Sequence, residues 1–305
     1  MAEVRQAAEL VAQGFGHGEL ARCVRAGDLR RIRRGAYAWG REPEELEDAE
    51  RHRELIEASI PVLADEAVVS HTSAAVLHGL PTWRSELQRV HVIRDRDHGG
   101  RIGGVVHVHP APLPDDQVVV IGGRRVTSLA RTVVDVGCRL SLFRSVPLGD
   151  AALAQGLDPR ELSAVLAGFR RRHGAPRARR MVSMLDARSE SVGESCSRVT
   201  ILQCGLPVPE LQFEVFDPAG FLIGRSDFYW RDQRTLGEFD GQVKYGRLLQ
   251  PGQDIGTVVT AEKEREDRLR DEGLHVVRWT WTDLARPEVL RQRIRRALER
   301  GTRLA

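Results

Sequence analysis

Three carboxylates fall close together in one short stretch of the chain: Asp227, Glu238 and Asp240. Residues two apart on a strand face the same side, so Glu238 and Asp240 point together if this segment is extended. A hairpin that folds back at Arg231-Asp-Gln-Arg234 would bring Asp227 alongside them. Such a set of oxygen ligands suits a hard divalent cation, with Asp227, Glu238 and Asp240 as the candidate metal ligands. Lys244, a few residues on, adds a positive charge. Carboxylates, a cation and a basic group are the equipment for hydrolysing a phosphodiester. The competing reading makes Glu238 and Asp240 edge-strand charges that deter aggregation.

The elements that must position these residues are legible around them. Ser191 and Glu194 fit a capping box, Ser-x-x-Glu, at the start of a helix running to Gly205. The same Glu194 could instead, or also, face the carboxylates. Strands are expected over residues 211–216, 221–223, 227–230 and 236–239, then a charged helix over 261–272, a strand over 275–281 and a closing helix over 287–300. This is an α/β core with the candidate site on its central hairpin.

Upstream, the pattern predicts a helix over residues 3–13, a second over 19–26 stopped at Gly27-Asp28, and then an extended basic segment over 29–37. Helix, turn, helix and basic hairpin is the order of a winged helix-turn-helix, in which Arg30, Arg31, Arg33 and Arg34 would touch phosphates. The alternative is a small helical cap. A helix follows over 48–64, and another is capped by Ser70 or Thr72 and ended by Gly79-Leu-Pro81. His71 and His78 lie two helical turns apart and could share a face as a metal or catalytic pair. With no ligand cluster near them in the sequence, they are read as capping or packing histidines. Alternating segments at 90–93, 105–109 and 118–121 predict strands. Thr127 or Ser128 caps the next helix, on which Arg131 and Asp135 are spaced to pair. The arginines of 170–180 mark a helix end, a turn and a new helix. The organisation expected is thus α/β and multi-domain: 1–45 winged-helix-like, 46–180 a middle α/β domain, and 181–305 the core carrying the site.

Bulk properties narrow the classes further. The chain has 305 residues, 41% of them hydrophobic, enough for real cores. No apolar run is long enough to cross a bilayer and the N-terminus has no signal-peptide pattern, so a cytoplasmic protein with no membrane partner is expected. Four cysteines without a Cys-x-x-Cys pair read as reduced thiols. The net charge is only +3, but the basic side chains are clustered and all but Lys244 and Lys263 are arginine. Local positive patches on a nearly neutral chain suit nucleic acid. The sequence sets no oligomeric state.

The segment Arg22-x-x-Arg-Ala-Gly-Asp-Leu-Arg-Arg-Ile-Arg-Arg-Gly-Ala-Tyr37 resembles the N-terminal domain of AbiEi-like antitoxins from abortive-infection systems. Ser70-His-x-Ser-Ala-Ala-x-Leu-His-Gly79 and Val126-Thr-Ser-x-Ala-Arg-Thr-x-x-Asp135 resemble the body of the same proteins. Residues 186–300 resemble the PD-(D/E)xK nuclease superfamily, closest to the branch related to very-short-patch-repair endonucleases. The matching residues are Ser191-x-x-Glu-Ser195, Ser226-Asp-Phe228, Glu238-x-Asp-Gly241, Glu264-Arg-Glu-Asp-Arg-Leu-Arg-Asp-x-Gly273 and Val276-Val-Arg-Trp-Thr280. The resemblance implies a restriction-endonuclease-like core that cuts DNA with Mg²⁺ or Mn²⁺ held by Asp227 and Glu238, and with Glu194 orienting water. Asp240 stands where the superfamily's lysine usually sits, so Lys244 or Arg268 would supply the positive charge. The AbiEi-like part implies the alternative, an antitoxin or transcriptional regulator with a cognate toxin and an inactive nuclease-like domain.

Overall fold

Glycine and hydroxyl signals set the helix ends that position the rest. The structure is a computed structural model that describes residues 3–40, 46–64, 66–96, 99–241 and 255–302. It divides into two compact units, residues 1–148 with 155–180, and residues 149–154 with 181–305.

The first unit opens with β1 (Val4–Gln6), α1 (Ala7–Ala12), α2 (His17–Ala26), β2 (Leu29–Arg33) and β3 (Ala36–Trp39). The helix expected over 3–13 is therefore shorter, because Val4–Gln6 pair antiparallel with Ala36–Ala38 and make a three-stranded sheet. Gly27 ends α2 in the left-handed conformation, φ 85°, which a glycine adopts without steric penalty. The basic segment is a hairpin, β2 against β3, over a small core of Leu10, Leu20 and Leu29.

The unit continues with α3 (Asp48–Ser59), β4 (Val68–Val69), α4 (His71–Leu77), β5 (Val90–Arg94), β6 (Arg101–Ile102), β7 (Val106–Pro110), β8 (Val118–Ile121), β9 (Arg124–Thr127), α5 (Leu129–Arg139), α6 (Leu142–Ala154) as far as Leu148, α7 (Pro159–Ala167) and α8 (Ala175–Val182) as far as Arg180. Its strands form one mixed sheet in the order β6-β7-β5-β4-β9-β8, with β5 and β7 parallel. Ile56, Val69, Ala74, Val90, Val92 and Val126 form its core. Ser128 caps α5 by accepting the Arg131 N–H, as its sequence predicts. The expected Arg131–Asp135 pair is present and buried: Arg131 Nε donates to both carboxylate oxygens at 3.0 Å.

The second unit is built from α9 (Val192–Gln203), β10 (Glu210–Phe216), β11 (Leu222–Trp230), β12 (Thr235–Asp240), α10 (Ile255–Asp271), β13 (His275–Thr280), α11 (Trp281–Leu284) and α12 (Pro287–Thr302). The two strands expected at 221–223 and 227–230 are one strand, β11. The sheet order is β10-β11-β12-β13, antiparallel except for the parallel last pair. Arg234, at φ 42°, turns the chain from β11 into β12 where the polar segment predicts a turn. Tyr229, Leu236, Leu269 and Leu274 pack in one cluster, which joins α10 to the sheet. Elsewhere in the unit Trp279 is fully buried and donates its Nε1–H to Ser197 Oγ at 2.7 Å.

Candidate functional site

The β11–β12 hairpin brings Asp227 to the chain segment that carries Glu238 and Asp240. The ladder pairs Phe228 with Gly237, and just beyond it the Asp227 carboxylate accepts the Phe239 N–H at 2.7 Å. A side chain thus takes over from the backbone ladder and ties Asp227 to β12 between the other two carboxylates. Asp240, half-buried, ends β12 opposite Thr280. Phe239 is itself placed by α9: a Cβ added at Gly193 would stand 1.9 Å from the Phe239 ring, so only glycine lets the helix approach this closely.

Glu194 sits in the first turn of α9. Ser191 Oγ accepts the Glu194 N–H at 3.1 Å, the first half of the expected capping box. The second half is shifted by one residue: Glu194 Oε2 accepts the N–H of Glu190, not of Ser191, at 2.9 Å, and also Gln212 Nε2–H at 2.8 Å. The Asp227 carboxyl is pushed up to about 6, first by burial and then by the negative charges of Glu194, Glu238 and Glu190, against the lowering effect of the Phe239 N–H. These groups are therefore electrostatic neighbours.

They do not form one tight ligand set. No three of Glu194, Asp227, Glu238 and Asp240 bring ligand atoms within 4.8 Å of one another. The convergence expected from the hairpin is looser because arginines hold Glu238. Arg265 from α10 donates to its Oε1 at 2.6 Å, and Arg278, opposite it on β13, donates to its Oε2 at 2.7 Å. Arg278 also reaches Glu266 at 2.7 Å. Sequence reasoning missed both arginines. The parallel β12–β13 register, which no local pattern announces, brings Arg278 there. Arg268, expected to supply the positive charge, instead faces Asp217 at 3.6 Å, one turn along α10 from Arg265. Lys244 lies outside the described residues.

A hard cation still fits this donor set. Mg²⁺ asks for only one or two carboxylates and fills the rest of its shell with water and phosphate oxygens. Asp227, half-buried among like charges that hold its proton affinity up, offers such an oxygen ligand. In the same unit, β13 and α12 border a groove of about 500 Å³ lined by His275, Arg278, Arg293, Arg296 and Arg300.

In the first unit the four hairpin arginines divide. Arg30 pairs with Glu54 on α3, and Arg33 donates to the Ala58 carbonyl at 2.6 Å and to Gln6 Oε1 at 2.9 Å. Both therefore fasten the hairpin to the rest of the unit, because α3 packs behind it. Arg31 and Arg34 are exposed.

The same unit holds a histidine cluster. His71 and His78, which could share a helix face but are read from the sequence as capping or packing residues, separate: His78 Nε2 meets the Thr127 carbonyl at 2.8 Å, while His71 faces β5 and β7. Among the described residues, His71, His91 and His109 are the group of three whose ligand atoms lie within 4.8 Å of one another. His71 sits at φ 52°, a strained conformation for a residue with a Cβ. Ser70 stands at the N-cap, but its hydroxyl meets His71 Nδ1 at 2.9 Å rather than accepting a helix N–H. Burial, then neighbouring histidines and Arg139, hold His91 down to about 3 and His109 to about 2, and push His71 well below its ordinary value. The signal available in the sequence was the alternation His91, His107, His109; its meeting with His71 required the β5–β7 pairing.

No protein-family model matches the chain. It is similar to two uncharacterized proteins of Mycobacterium tuberculosis, MT2308 from strain CDC 1551 / Oshkosh and Rv2248 from strain H37Rv. Each is 29% identical over 257 residues, covering 80% of this chain and 90% of the relative. Among solved structures, the RV2827C protein of Mycobacterium tuberculosis aligns with a TM-score of 0.40 and 15% identity over 70% of this chain and 84% of that one. No helix among the described residues is long and apolar enough to cross a membrane.

Proposed function

We propose that the chain is a metal-dependent DNA endonuclease in which the second unit hydrolyses phosphodiester bonds and the first contributes DNA binding. The observation that carries this reading is the attachment of Asp227 to β12 between Glu238 and Asp240 through the Phe239 N–H. The order helix, three antiparallel strands, helix, parallel strand, helix supports it, since it agrees with the PD-(D/E)xK, restriction-endonuclease-like core that the residue resemblance implies. Asp227 and Glu238 would hold Mg²⁺ or Mn²⁺. When bound, that ion supplies Lewis-acid polarisation of the phosphate and a more acidic water. Glu194, steadied by Gln212 and the Glu190 N–H, would orient the attacking water. Arg265 and Arg278 would supply the positive charge that Asp240 does not, by turning from Glu238 to the phosphate. The arginine-lined groove beside β13 suits a passing phosphate backbone.

The test is cleavage of supercoiled, linear and single-stranded DNA by purified protein with Mg²⁺ or Mn²⁺. Activity should vanish in Glu238→Ala with an unchanged circular dichroism spectrum. Equal degradation by wild type and variant, or no cutting of any DNA form, defeats the reading.

One observation favours a second reading, an AbiEi-like antitoxin or transcriptional regulator whose nuclease-like unit is inactive: both Glu238 oxygens are held by arginines. It expects sequence-selective promoter binding that weakens in an Arg31→Ala/Arg34→Ala double variant. Unchanged affinity in that variant counts against it.

A further inference from the structure

We infer that His71, His91 and His109 form a zinc site in the first unit, separate from the carboxylate site and independent of the nuclease reading. Three elements supply the ligands: the first residue of α4, the second of β5 and the fourth of β7. His91 pairs with His107 and Ile93 with His109 in the parallel register, so the two strand ligands are offset by one same-face step. Their nitrogens nevertheless face each other, His91 Nδ1 at 2.9 Å from His109 Nε2. Around Zn²⁺ with bonds of about 2.0–2.1 Å, tetrahedral ligand atoms stand about 3.3 Å apart, so a small opening of the pair admits the ion. The His71 ring stacks on His109 with centroids 3.9 Å apart. Its Nδ1 is engaged by Ser70 Oγ at 2.9 Å, which leaves Nε2 as the ligand atom and fixes the ring as an outer-shell partner does.

The donor set selects the metal. Three imidazoles without a carboxylate suit Zn²⁺ and not Mg²⁺, which takes oxygen ligands. Burial keeps these rings neutral, the form that ligates. His107 stacks on His109 but stands outside the set. Three protein ligands leave the fourth position open.

The full-length protein, stripped with a chelator, is titrated with Zn²⁺ alone against a chromophoric chelator. It should take up Zn²⁺ stoichiometrically, and Co²⁺ in its place should give the intense visible absorption of a tetrahedral site. His91→Ala and His109→Gln should each weaken binding by more than the roughly 10–100-fold that follows loss of an outer-shell partner. His107→Ala and Asp227→Asn should keep wild-type affinity, which separates this site from the carboxylates. Circular dichroism identifies folded variants, and a folded representative of either ligand position decides the matter. Wild-type affinity in a folded ligand variant, or no stoichiometric uptake by the wild type, overturns the proposal.

Discussion

The carboxylate site and the histidine cluster solve the burial of titratable groups in opposite ways. Around Asp227 the groups are acidic, and the charge is managed by arginines on Glu238 and by a proton affinity raised to about 6. Around His91 and His109 the groups shed their charge, with affinities lowered to about 3 and about 2. Burial is the first cause in both, and it disfavours whichever form is charged. The difference shows why the two regions suit different ligands: retained negative charge suits a hard cation, and neutral imidazole nitrogens suit a softer one.

The largest effect should come from removing a carboxylate. Asp227→Asn, which keeps an acceptor for the Phe239 N–H, should lower metal-dependent cleavage by about 10²-fold or more, measured as single-turnover rate. The same substitution should raise stability at neutral pH. A carboxyl with an ordinary value near 3.9 and a folded value of about 6 binds more protons folded than unfolded between these limits. Stability from this group is therefore greatest below about pH 4 and falls as pH rises to 6. Removing the charge should gain about 1–2 kcal/mol at pH 7, after allowance for partial exposure, and nothing at pH 4. A loss of cleavage with no gain in melting temperature would break the contrast between the two sites.

Gly193→Ala tests the packing beneath Asp227. With Phe239 only 1.9 Å from the added Cβ, overpacking should cost about 1–3 kcal/mol in denaturant unfolding and reduce cleavage by moving the Phe239 N–H.

The histidines should respond to pH with the other sign. Their folded values lie below the ordinary 6.5, so the unfolded chain takes up protons first as pH falls. Stability is complete above about pH 6.5 and declines towards pH 3. Between pH 7 and 5 the loss should be about 2 kcal/mol for each such histidine, and His109→Gln should remove one such share of the slope in urea unfolding at a series of pH values. A parallel slope in both proteins would remove the histidines from the account.

The smallest effect concerns the first unit's hairpin. Arg31→Ala and Arg34→Ala should each reduce the salt dependence of DNA binding by about 0.9 in logarithmic slope without changing melting temperature. Arg33→Ala should instead destabilise by about 1 kcal/mol, because it loses hydrogen bonds to Ala58 and Gln6.

Local patterns are legible where local chemistry decides. The hairpin around Arg231–Arg234, the Ser128 cap and the Arg131–Asp135 pair lie within a few residues of one another, and each was legible. Val4 has the apolar spacing of a helix but lies in a strand, because its partner, Ala38, comes from far along the chain. Arg30 and Arg33 read as phosphate ligands because the sequence does not say that α3 packs behind them.

The amino-acid sequence by itself determined that Asp227 would lie against the strand carrying Glu238 and Asp240, since a two-residue period and a tight turn leave little choice. Only the tertiary structure decided what surrounds them. Arg278 reaches Glu238 through a parallel pairing with a helix intervening, and His71 reaches His91 and His109 across strands β5 and β7. Such contacts join segments distant in the chain, and their closure depends on the whole core rather than on the residues that touch.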